Sequence, residues 1–106
     1  HVDDLADACV FLMENIDAKE MKKLNADYFV NIGAGEDLTV KDLAFLIKDI
    51  IGFAGNIQFD HTKPDGTPKK LLDISKIKQL GWQPKIDLKT GINDTYKWYQ
   101  KHKNIY

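Results

Sequence analysis

The chain has one cysteine and three histidines in 106 residues, and each scarcity removes a class of explanation. Cys9 has no partner for an internal disulfide, which fits a reducing compartment, and a cytoplasmic protein is expected. His1, His61 and His102 lie far apart, with no Cys, Asp or Glu at ligand spacing, so no metal site is expected. No apolar run approaches the roughly 20 residues that span a bilayer. The N-terminus is acidic and helical in pattern, unlike a signal peptide. A net charge of -1 gives no field that would draw nucleic acid or a membrane surface. Internal repeats and low-complexity segments are missing. The chain opens on His1-Val2-Asp3-Asp4 rather than on Met, as expected of an excised piece.

What remains is ordinary globular material: 43% hydrophobic and 29% charged residues, at a length that suits a single domain. Val2, Leu5, Cys9, Leu12 and Ile16 recur at helical steps, with Ala6 and Met13 beside them, and predict an amphipathic helix. Asp3 and Asp4 suit its first turn by charge. Residues 18–25 are polar and Lys-rich and read as a surface loop. Tyr28 to Ile32 reads as a short strand.

That strand runs into Gly33-Ala34-Gly35, which looks like the start of a dinucleotide-binding loop. The third glycine is missing, because Leu38 takes its place, and no acidic residue follows a second strand at the usual distance; a strand leaving through a glycine turn is the better reading. Thr39 then caps a helix, with Asp42 three residues on and Val40, Leu43, Ala44, Ile47 and Ile51 as its apolar stripe; Gly52 ends it. Asn56 to Phe59 alternates and reads as a second strand.

The stretch Lys63-Pro64-Asp65-Gly66-Thr67-Pro68-Lys69-Lys70-Leu71-Leu72-Asp73 is the best candidate for a binding site. Pro64 and Pro68 fix backbone angles and exclude an interior strand, and Asp65-Gly66 supplies a tight turn. Lys63, Lys69 and Lys70 place three cations on this stiffened segment. A lysine is a compact charge suited to phosphate oxygens, and loop amides can add to it. Beyond it, Asp73 caps a helix over 74–80 that Gly81 ends, and Trp82 with Pro84 reads as a stiff connector. Asp87 can cap the last helix, with Leu88, Ile92, Thr95 and Tyr99 as its stripe and Tyr96 and Trp98 alongside, read as core.

Catalysis needs positioned acids, bases or nucleophiles, and no such set is present. Tyr99 and Lys103 stand four apart, as in the Tyr-Lys pair of short-chain reductases. They fall at the chain end without a serine partner, so the spacing carries no catalytic assignment.

The opening His1-Val2-Asp3-Asp4-Leu5-Ala6-Asp7-Ala8, the run Asn31-Ile32-Gly33-Ala34-Gly35 before the Thr39 helix, the proline-rich loop and Leu80-Gly81-Trp82 together resemble the C-terminal lobe of extended short-chain dehydrogenases acting on sugar nucleotides. The likeness covers essentially the whole chain, 1–106. It implies an α/β, α+β-like lobe of about four helices and two short strands. It implies NADPH held by an N-terminal Rossmann domain of the same protein, a GDP-sugar substrate covered by this lobe, and a homodimer. By position, the resemblance makes Lys63 the counterpart of a diphosphate-binding arginine, keeping the charge but losing the bidentate fork. Lys70 matches a lysine that meets the nucleotide phosphates, Asp65 is a shifted candidate for a ribose-binding aspartate, and Asn56 stands where some members carry a basic substrate-contacting residue. The family's catalytic serine, Tyr-Lys pair, cysteine and histidine lie upstream, so the lobe alone is expected to be inactive. Two other readings stay open: a lobe of another sugar-nucleotide epimerase, dehydratase or reductase, and a non-enzymatic α/β interaction module.

Overall fold

Local capping explains most of the helices. In this computed structural model, which describes residues 1–24 and 29–103, five helices form: α1 (Val2–Asn15), α2 (Ala18–Lys23), α3 (Val40–Ile51), α4 (Ser75–Gln79) and α5 (Leu88–His102). The Thr39 hydroxyl accepts the Asp42 amide at 3.0 Å and donates to the Asp42 carboxylate at 2.6 Å, which fixes the start of α3. Gly52 ends α3 at φ 69°, a left-handed conformation that costs a side-chain-bearing residue energy.

The polar stretch after α1 forms a helix, contrary to the loop expected there. Asp17 accepts the amides of Lys19 and Glu20 at 2.7 and 2.9 Å, Lys23 pairs with Glu20 at 2.6 Å, and Lys22 and Lys23 lie in the last turn. A good cap and favourable charge at both ends form one short helix without an apolar face. Asn25 lies outside the described residues.

The two expected strands do not form, so the α/β expectation is corrected: among the described residues there are helices and no strand. Tyr28 lies outside the described residues, while 29–32 and 56–59 have no ladder partner. The two runs belong to different compact units, and a strand exists only through the bonds of a neighbour. The side chains of Val30 and Ile32 serve the core nonetheless.

The first unit comprises His1–Glu36 and Leu71–Asp87, the second Asp37–Lys70 and Leu88–Tyr106. The first holds the buried cluster of Ala8, Ile74, Ile77 and Trp82, with Phe11, Leu12, Val30 and Ile32 packed against it. The buried face of α1 is thus centred on Asp4 and Ala8; Val2, Leu5 and Met13, expected on the apolar side, stay 69%, 50% and 86% exposed. Trp82 is core rather than connector, at 4% exposure. The helix after Asp73 starts at Ser75, and the Asp73 carboxylate accepts the Ser75 amide at 2.9 Å. Gly35 turns the chain at φ 77°, and a Cβ there would meet Ile74 Cδ1 at 2.6 Å. No helix follows that turn before residue 40, consistent with a glycine serving the turn and the packing.

In the second unit α3 packs against α5. No side chain of α3 is fully buried, and on α5 only Gly91 is. Trp98 and Tyr99, read as core, are 54% and 58% exposed; the Trp98 ring instead stacks on His102, 4.5 Å between centroids. No helix among the described residues is long and apolar enough to cross a membrane.

Candidate functional site

The stretch from Asn56 to Lys70 is exposed apart from half-buried Gly55 before it and Ile57 within it. Its shape is set locally at the start. Asp60 accepts both the Thr62 hydroxyl, at 2.6 Å, and the Thr62 amide, at 2.9 Å, closing a turn directly ahead of Lys63. The same two bonds, the hydroxyl first, hold the Asp60 carboxyl below its ordinary range. Pro64 and Pro68 then restrict the segment that carries the lysines.

Asn56, Lys63, Asp65 and Lys70 all lie in the second unit and all face solvent. None of the four, nor Lys69, makes an ion pair or side-chain hydrogen bond with another described residue. The loop therefore offers unengaged ammonium groups and one unengaged carboxylate on a braced backbone. All 15 basic residues of the chain are lysines, so any anion it meets sees point charges and no guanidinium fork. Tyr99 is likewise exposed.

A second polar cluster, which the sequence reading missed, lies in the first unit. Asp7 Oδ2 accepts the Trp82 indole N–H at 2.8 Å and pairs with the Lys85 ammonium at 3.1 Å. The indole bond, then the lysine, hold the Asp7 carboxyl below its ordinary range. Asp4, 6% exposed, accepts the backbone amides of Lys85 at 3.1 Å and Ile86 at 3.0 Å. Nothing local reveals these bonds, since they join residues 75 to 82 positions apart.

Depressions in this unit include two lined by described residues. One of about 460 Å³ is lined by Leu71, Leu72, Asp73, Ile74, Lys78 and the Gly35 turn. The other, about 440 Å³, runs along Phe11, Glu14, Trp82 and Lys85. Neither is lined by Asn56, Lys63, Asp65 or Lys70. Among the described residues no group of three or more His, Cys, Asp or Glu side chains gathers as a metal site would require.

No protein-family model matches the chain. Solved structures do. A GDP-6-OMe-4-keto-L-xylo-heptose reductase from Campylobacter jejuni matches with a TM-score of 0.87 at 43% identity, over 96% of this chain and 30% of that one. A GDP-mannoheptose C4 reductase from the same organism, solved with NADP bound, matches with a TM-score of 0.80 at 42% identity, over 94% and 30%. The fold is thus that of a portion of extended short-chain GDP-sugar reductases. Among curated proteins, GDP-L-fucose synthase 1 of Arabidopsis thaliana is 50% identical over 102 residues, 96% of this chain and 29% of that protein. The chain spans about three-tenths of the length of these relatives.

Proposed function

We propose that the chain is the substrate-binding portion of a cytoplasmic GDP-L-fucose synthase, which converts GDP-4-keto-6-deoxy-mannose to GDP-L-fucose with NADPH. The observation that carries this is the 50% identity over 102 residues with GDP-L-fucose synthase 1 of Arabidopsis thaliana. In this reading the cofactor sits on a Rossmann domain elsewhere in the same protein, the protein works as a homodimer, and the reacting groups lie outside these 106 residues.

The loop binds the nucleotide end of the substrate. Lys63 and Lys70 meet the diphosphate; Asp65 and Asn56 contact the ribose or sugar. The support is chemical: exposed lysines without intramolecular partners, on a segment stiffened by Pro64, Pro68 and the Asp60–Thr62 turn, are ready to give charge-assisted bonds without first breaking others.

The test is titration of the intact protein with GDP-sugar, wild type against Lys63→Ala and Lys70→Ala. Each truncation should cost on the order of 1–3 kcal/mol, the range for hydrogen bonds to charged groups. Unchanged affinity in both variants refutes the loop assignment. The isolated chain, mixed with NADPH and GDP-4-keto-6-deoxy-mannose, should leave the NADPH absorbance flat; turnover would refute the division of labour. Comparing GDP with UDP and dTDP separates this reading from other sugar-nucleotide enzymes, and binding none of them would favour the interaction module.

A further inference from the structure

One side of α1 is apolar in sequence and bare in structure. Val2, Leu5, Ala6, Cys9, Val10 and Met13 recur at steps of three and four along the helix and so share a side. All six are exposed, Val2 at 69% and Met13 at 86%. The opposite side does the packing: Asp4 and Ala8 are buried, and Phe11 and Leu12 meet the cluster of Ile74, Ile77 and Trp82. Asp3, Asp7 and Glu14 make the narrow polar strip between the two sides. A helix that is apolar on two opposed sides belongs between two layers. A contiguous exposed apolar patch rimmed by polar groups marks an interaction surface. The first unit therefore uses one apolar side of α1 and leaves the other unspent.

The chemistry of α1 narrows what can cover that side. Helices that lie on anionic membranes carry Lys or Arg on their polar side; α1 has neither. A second copy of the same side would bring Asp3, Asp7 and Glu14 again, with no cation from α1 to meet them. The solved reductases point to a different cover. At 42–43% identity this chain matches 30% of each, so most of each lies outside the matched part. A portion of the same polypeptide meets α1 at the high effective concentration of a tethered partner, so a patch the length of one helix suffices. We propose that the exposed side of α1 is the seat of the cofactor-binding portion of the same protein, which covers Leu5, Cys9 and Met13 with an apolar surface of its own. This rests on the reading of the chain as one portion of a larger GDP-sugar enzyme.

Cross-linking in the intact protein tests it. A photoreactive benzophenone side chain takes the place of Met13, and the irradiated protein is resolved on a denaturing gel and mapped by mass spectrometry. The adduct should form within one polypeptide and join position 13 to peptides outside these 106 residues. Adducts of twice the chain mass would assign the face to a second copy, adducts within Asp37–Lys70 or Leu88–Tyr106 to the second unit, and the absence of any adduct to solvent; each overturns the proposal. Should the variant not accumulate as folded protein, the wild type decides. Cys9 is exposed in this chain. In the native intact protein it should react with a maleimide roughly tenfold more slowly than in urea, because a covered thiol waits for local opening. Equal rates, or a native rate that rises on dilution as a second copy leaves, would overturn the proposal. Titration of the same protein with GDP-sugar separates the two layers. If GDP-sugar binds and the adducts fall elsewhere, this proposal alone falls; if GDP-sugar does not bind, the proposed function falls whatever the adducts show.

Discussion

In the first unit Ala8, Ile74, Ile77 and Trp82 are withdrawn from solvent and the polar groups beside them are paired. In the second, no hydrophobic side chain reaches full burial among the described residues, and Asn56, Lys63, Asp65 and Lys70 stand exposed without an ion pair or side-chain hydrogen bond to another described residue. The difference separates two jobs. Burial and long-range bonds hold the first unit together. In the proposed reading, the second unit keeps its unspent hydrogen-bonding and charge capacity for the ligand.

Substitutions in the two units should therefore fail in different assays. Trp82→Ala should have the largest effect, about 3–5 kcal/mol of stability for a large-to-small aromatic change in a core, read as a shift of the urea midpoint. Its GDP-sugar affinity, measured on the folded fraction, should stay within a few-fold. Lys63→Ala and Lys70→Ala should do the reverse, leaving the urea midpoint in place while affinity falls. A lysine variant that unfolds the protein would break the contrast.

Thr39→Ala is a smaller probe. It removes the hydroxyl that receives the Asp42 amide, and loss of such a cap costs about 1 kcal/mol. If it costs as much as Trp82→Ala, the second unit is as tightly bound as the first and the comparison fails. The smallest effect concerns acid. The Asp7 carboxyl is held below its ordinary range by Trp82 and then Lys85. Its stabilisation is thus fully present above the ordinary carboxylate range and is lost as pH falls below about 4 through the lowered folded value. Asp7→Asn should flatten part of the stability loss seen on acidification. It should not abolish it, because Asp60 and Asp73 are lowered in the same direction. A stability–pH curve identical to wild type would show that the Asp7 cluster contributes nothing.

Features written locally were legible in the sequence. Thr39 and Gly52 bracket α3 because cap chemistry acts within a turn, and the order of the longer helices follows from apolar spacing. What was not legible depended on distant partners. Leu5 and Val2 fit a helical stripe as well as Ala8 does, but the side of α1 that is covered is decided by Ile77 and Trp82, some seventy residues away. The grip of Asp4 and Asp7 on 82–86 is long-range in the same sense, so Asp4 could be read only as a dipole partner. Val30 and Ile32 had strand chemistry, and burial of their side chains used it without any ladder. At the candidate site, the stiffness and charge of the 63–70 loop are visible from Pro64, Pro68 and the lysines, whereas the Asp60–Thr62 turn that leads into it rests on side-chain bonds that carry no glycine or proline signal.

Amide hydrogen exchange of the intact protein, with and without GDP, tests the division of labour most directly. The account predicts that nucleotide slows exchange across residues 56–70 and leaves the amides of 74–82 as they were. Protection gained at 74–82 or along α1, with the 56–70 loop unmoved, would contradict it.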